Sequence, residues 1–310
     1  MTVIAGLRLP LLVAPMFLVS GVEMVVAAAH AGALGAFPTP NCRTAEQLNG
    51  WMDEISARVE HRPWAVNVIT HSTNPRLADD LALIAKYRPP VIVSALGSPA
   101  AAVATAHAYG GMVLADVPSV ALARKALAAG ADGLACLTTG AGGHTGHLSP
   151  FAFLSAIREF HSGPLSVGGG IADGAGVAAA IAAGADMACL GTRFIACSES
   201  MASDGFKQGV IDAAIDDVVL SDRVTGTMAS WLKTSLAHAG YLDGANDRPD
   251  RTYDGSSAIR RWRDIWSAGQ GVGAVRESEP LAAIVAQLRA EFSAAADRLG
   301  GVAIGLDRQS

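Results

Sequence analysis

The chain has 310 residues, 51% of them hydrophobic and 16% charged, with 34 glycines and a formal net charge of -5. A chain this long and apolar buries a large core, and without a lysine- or arginine-rich run it has no electrostatic footprint for nucleic acid. Its four cysteines, Cys42, Cys136, Cys189 and Cys197, form no CxxC pair, so they read as reduced, mostly buried thiols rather than as a metal site.

From the start of the chain, residues 9–19 are apolar but too short to span a bilayer, and they contain Pro10 and Pro15. No basic segment followed by an apolar run and a cleavage site opens the chain. The expectation is a soluble, cytoplasmic protein with no membrane contact. Short, nearly continuous apolar runs then recur at 11–14, 34–37, 64–68, 91–94, 112–115, 133–137, 165–167 and 187–190. Runs of this kind, each followed by a polar or glycine-containing turn, are how strands buried on both faces read.

Alanine-rich helical stretches lie between them, at 22–31, 45–59, 75–87, 99–109, 120–129, 150–160 and 176–183. Thr44, Ser98, Ser119 and Ser149 suit N-caps, Pro99 and Pro150 suit first helical positions, and Gly32, Gly110, Gly130 and Gly184 suit helix ends. The tetrapeptide AGAD occurs twice, at 129–132 and 183–186, each time leading into a strand. Strict alternation of strand and helix implies parallel strands with crossover helices. Eight units predict an α/β fold of the closed (β/α)8 TIM-barrel type. An open Rossmann sheet would carry GxGxxG after its first strand, and Pro15-Met16-Phe17 follows here instead.

The alternation stops at about 204–267. That segment holds 18 of the 51 charged residues and three of the five tryptophans. It is expected to be a small, mostly helical inserted domain capping the barrel, with a loop at 243–257; an oligomer contact is the other role for its apolar surface. Residues 1–203 and 268–310 would form the barrel, and helical spacing at 280–298 returns the chain to it.

Barrel sites lie at the C-terminal ends of the strands. After the seventh strand comes Gly168-Gly169-Gly170 and after the eighth Leu190-Gly191-Thr192. Backbone amides in these turns, with a helix N-terminus behind the first, suit a phosphate. After the sixth strand, Gly140-Ala141-Gly142-Gly143 offers backbone to a flat ligand, and His144 follows as a candidate acid or base; a plain loop histidine is the alternative, and His147 is placed outside the site. Ala14, Pro15 and Met16 follow strand one, Asn67 lies within strand three, and Ser94 ends strand four. Residues 267–271, including Gln270, either line a ring pocket or form a hinge.

These motifs, APM, the strand with Asn67, AGGHTG, GGGIADG, GTRF and SAGQG, resemble nitronate monooxygenases, formerly called 2-nitropropane dioxygenases, over nearly the whole chain. The resemblance implies an FMN-containing barrel in which Ala14, Pro15, Met16 and Asn67 contact the flavin, Gly169, Gly170, Gly191 and Thr192 hold its phosphate, and His144 takes the catalytic position. The implied reaction is oxidation of alkyl nitronates, such as propionate 3-nitronate, with O2. Two alternatives stand beside it: an NAD(P)H-dependent FMN reductase of quinones or enoyl thioesters, and a non-catalytic flavin binder. A homo-oligomer is compatible with all three. Two departures from the family pattern bear on the substrate. Gly140 stands where many members have glutamate, and Met112 where many have lysine, so both would remove charge near the flavin.

Overall fold

The computed structural model describes residues 2–242 and 261–307. Eight parallel strands close into a barrel: β1 (Leu11–Val13), β2 (Leu34–Pro38), β3 (Trp64–Ile69), β4 (Val91–Ala95), β5 (Met112–Val117), β6 (Gly133–Leu137), β8 (Leu165–Gly168) and β9 (Met187–Leu190). The barrel closes where β1 pairs with β9, Leu12 opposite Cys189. The missing number, β7 (Gly143–His144), is a two-residue strand outside the barrel.

Strand parity sorts the side chains. Leu12, Leu34, Ala36, Ala65, Val91, Val93, Leu114, Ala135 and Met187 fill the interior. Their neighbours on each strand face the helices. The short N-terminal helix α1 (Thr2–Ala5) and Leu7 plug the base, where Val3, Ile4, Leu7 and Met112 pack on the interior cluster. The outer ring holds α2 (Val22–Ala31), α3 (Ala45–Arg58), α4 (Leu77–Tyr87), α5 (Ala100–His107), α6 (Val120–Ala128), α7 (Pro150–Arg158) and α8 (Gly174–Ala182). After α9 (Asp204–Ile211) and α10 (Lys233–His238), the last helix, α11 (Leu281–Asp307), fills the gap between α8 and α2.

Thr44 and Ser119 cap their helices by accepting from the amides of Gln47 and Leu122. Ser149 makes no capping bond, and Pro99 precedes its helix rather than opening it. The repeated AGAD turn has one physical function. Asp132 donates its amide to the Val113 carbonyl and accepts the Val113 amide on its carboxylate (2.8 Å); Asp186 does the same with Leu165 (2.7 Å). Each aspartate therefore pins the start of the preceding strand.

Beyond β9 the segment holds helices, as expected, and also an antiparallel hairpin that the sequence did not suggest. Strands β10 (Val218–Ser221) and β11 (Ala229–Leu232) pair with each other, and β11 continues onto β7, with Ala229 opposite His144. The hairpin has its own small core of Val224, Ala229, Trp231, Leu236 and Ile265. Helix α9 instead packs Phe206 and Val210 into the main barrel cluster. The expected loop at 243–257 lies outside the described residues. Among those described, no helix is long and apolar enough to cross a membrane, and no cluster of acidic, histidine or cysteine side chains is arranged to hold a metal.

Candidate active site

One cavity of about 740 Å³ opens at the C-terminal mouth of the barrel. Ala14, Pro15, Met16, Asn67, Gly143, His144, Gly168, Gly169, Gly170, Gly191 and Thr192 all line it. Residues widely spread in sequence thus meet in one place.

The turn after β1 is locked by two buried polar side chains. Ser20 Oγ accepts the Met16 amide and donates to the Ala14 carbonyl, each at 3.0 Å. Asn41 donates to the carbonyls of Met16 and Ser20 and accepts the Leu18 amide. Asn67, on β3, uses its amide nitrogen to bond the Val93 carbonyl at 3.0 Å.

The glycine turns divide their labour. The amides of Gly169, Gly191 and Thr192 have no acceptor among the described residues. The Gly170 amide is already spent on the Gly140 carbonyl at 3.1 Å. That carbonyl also accepts from Gln270, and Gly140 has φ +84° with no room for a Cβ beside Gln270 Oε1. The N-terminus of α8 is occupied too: Asp173 accepts the Gly176 amide and Glu291 the Gly174 amide. An anion here would rest on the Gly169, Gly191 and Thr192 amides rather than on the helix end. A Cβ on Gly191 would come within 3.2 Å of Met16 Sδ, so the glycine keeps open a cradle that any side chain would crowd. Thr192 Oγ1 accepts the Gly269 amide at 2.8 Å, and its own proton stays available.

Three candidates are corrected. Leu190 shares strand parity with the helix-facing Ala188 and Ser94 with the helix-facing Ile92, and neither lines the cavity. Gln270 stands behind Gly140 and Gly170 as a brace, while its neighbours Ser267 and Gly271 line the wall. Met112 begins β5 at the base of the barrel, so the absence of lysine there removes no charge from the mouth. Arg193 of GTRF is no anion clamp either: it is buried and bonds Glu279 (3.0 Å) and Gln287 (3.1 Å), tying the turn to the C-terminal segment.

His144 projects from a loop clamped by the hairpin. The Gly143 amide donates to Ser267 Oγ, Ser267 Oγ to the Ser230 carbonyl, and Ser230 Oγ to the Ala141 carbonyl, all at 2.6 Å. The imidazole meets Trp262 edge-on, with centroids 5.4 Å apart. Burial holds its pKa below the usual histidine value of 6.5, so the ring is neutral at pH 7. His147 is exposed and away from the cavity.

Sequence reasoning missed several wall residues: Asp116, Ser166, Arg43, Arg76, Phe206 and Trp262. Asp116 carried a readable signal, a lone carboxylate in register with interior positions of β5. The continuous apolar run stops at 115, one residue before it, while β5 extends to Val117.

The family model for nitronate monooxygenase matches residues 70–291. The chain belongs to the nitronate monooxygenase family. It is 26% identical to the nitronate monooxygenase of Paraburkholderia phytofirmans, with 95% of each chain covered. It is 29% identical to a (3aS,4S,5R,7aS)-5-hydroxy-7a-methyl-1-oxo-octahydro-1H-indene-4-carboxyl-CoA dehydrogenase of Mycobacterium tuberculosis, over 76% of this chain and 66% of that enzyme. Among solved structures it resembles nitroalkane oxidase from Streptomyces ansochromogenes, with TM-score 0.82, 25% identity and 95% and 99% of the two chains covered. The protein is an oxidoreductase of a flavoenzyme family with the TIM-barrel fold.

Proposed function

We propose that the protein is an FMN-dependent nitronate monooxygenase that oxidises alkyl nitronates with O2. The observation that carries this reading is the meeting, in one cavity, of His144 with the free amides of Gly169, Gly191 and Thr192. Those amides suit a terminal phosphate, and Gly191 leaves open a space beside Met16 Sδ that a Cβ would narrow to 3.2 Å. Ala14, Met16 and Asn67 would hold the ring. FMN, when bound, supplies the one-electron and O2 chemistry.

His144 has two roles open to a neutral imidazole: it donates one N–H to an anionic nitronate, or accepts the proton of a neutral nitroalkane. Arg43 on the wall favours an anionic substrate, whereas Arg76 beside it is paired with Asp80 at 2.9 Å. Phe206 and Trp262 add apolar surface to the cavity wall. Similarity to a nitronate monooxygenase over 95% of each chain supports this reading.

The test is to denature the purified protein and identify the released flavin. One FMN per chain is expected. FAD, or a colourless protein that ignores added FMN, would contradict the proposal.

A further inference from the structure

Three unpaired polar groups converge on the cavity floor. Asp116 projects from β5, and its carboxyl forms no hydrogen bond or ion pair with any described residue. Ser166, on β8, has a buried Oγ with no partner among the described residues. Asn67 spends its amide nitrogen on Val93, and its oxygen accepts no bond from the described residues. All three sit within barrel strands, below the turns that offer the free amides. A neutral hydroxyl, an amide oxygen and an acid with no cation beside it do not suit a phosphate. They suit a neutral heterocycle that presents acceptors and a donor together.

We propose that this floor reads the polar pyrimidine edge of the bound flavin, with Asp116 acting as a neutral hydrogen-bond donor. The inference rests on the flavin reading above. That edge carries two carbonyls and ring nitrogens that accept, and one N–H that donates. Ser166 and protonated Asp116 can supply donors, and Asn67 the acceptor. The dimethylbenzene end of the ring has no such groups and would leave all three unsatisfied, at a cost.

The surroundings favour the protonated acid. Asp116 opens onto the cavity and not onto bulk solvent, and desolvation raises its pKa to about 7. Cys136 from β6 and Cys189 from β9 are titratable groups that feel its charge, and burial pushes both up to about 12. His144 titrates below 6.5. Arg43, Arg76 and Asp80 border the cavity on the side of the β2 and β3 loops. Strands β1, β3, β4 and β8 bring no charged side chain to the floor. Between pH 7 and 9, Asp116 is therefore the group that titrates there. Flavin that binds the protonated form loses affinity as pH rises through this window.

The experiment dilutes the holoprotein at pH 7, 8 and 9 and measures FMN dissociation from the fluorescence of released flavin. The parent, Asp116→Asn and Asp116→Leu are compared. A phosphate monoester has its second pKa near 6, so FMN's phosphate is nearly constant over this range; riboflavin, which lacks it, is the control. The parent should weaken about tenfold or more from pH 7 to 9 for both ligands. Asp116→Asn keeps a neutral donor and should bind FMN nearly independently of pH. Asp116→Leu should bind more weakly than either at pH 7, also without pH dependence. A parent whose affinity is flat with pH, or an Asp116→Asn variant that follows the parent's decline, would overturn the role of Asp116 while leaving the flavin reading intact. A parent that binds no flavin at any pH would overturn both.

Discussion

His144 is held neutral by burial and faces Trp262, so its chemistry should appear as an acid limb and not a basic one. Its folded pKa is depressed, so the imidazole gains charge only as pH falls below 6.5. With a neutral nitroalkane, kcat/KM of the parent should fall on acidification below that value. His144→Ala should lack this limb, retain its flavin and lose about 10²- to 10⁴-fold in rate. With the nitronate anion no proton need be removed, and the loss should be near the low end. A pH–rate profile with its inflection above 6.5, or a variant as active as the parent, would contradict the assignment. Gly191→Val tests the other end of the cavity. Its side chain would crowd Met16 and displace an anion from the amides. Charge-assisted bonds are worth about 1.5–3 kcal/mol each, so the FMN dissociation constant should rise tenfold or more while the melting midpoint of the apoprotein moves little. An unchanged constant would remove the phosphate from this turn. The residues legible in sequence were those on turns, where glycine or histidine breaks an apolar run. Ser94 and Leu190 were not legible as helix-facing, because an apolar run does not disclose which of its side chains face inward. Asp116 was missed because a carboxylate at a strand end resembles the first residue of a loop.

At the scale of elements, the eight strands and the helices between them were legible because burial on both faces and good helix ends leave strong local marks. The hairpin was not. Its strands are short, and β11 pairs with β7, more than eighty residues earlier, so no local pattern marks it. Its consequence is a clamp on the histidine loop through Ser230 and Ser267. Ser267→Ala leaves the Gly143 amide without its acceptor, at a cost of about 1–3 kcal/mol. Hydrogen exchange at 141–145 should accelerate and kcat should fall, while FMN affinity holds within a few-fold. Unaltered exchange in that loop would mean that the clamp is not what orders it. The AGAD turn makes a separate prediction. Asp186→Ala removes the acceptor for the Leu165 amide and the partner of Arg158. The urea midpoint should drop by an amount equivalent to about 1–3 kcal/mol. A midpoint equal to the parent's would mean that the repeated turn does not stabilise the strand start.

For the whole molecule, the closed barrel gathers the ends of its strands into a single cavity, and the segment after β9 lies over that end, contributing Phe206 and Trp262 to the wall. We propose that the segment acts as a cap and sets substrate size, with the division at 204 and 267 as its approximate limits. The electron donor separates the two readings, because a flavin in such a cavity can accept electrons from a nitronate or a hydride from a pyridine nucleotide. The most direct measurement is anaerobic mixing of the purified, flavin-loaded protein with propionate 3-nitronate, NADH or NADPH while the flavin absorbance is followed. Rapid bleaching by the nitronate and none by either nucleotide is the result expected here. Bleaching by NADH or NADPH with no response to the nitronate would contradict the account and identify a reductase.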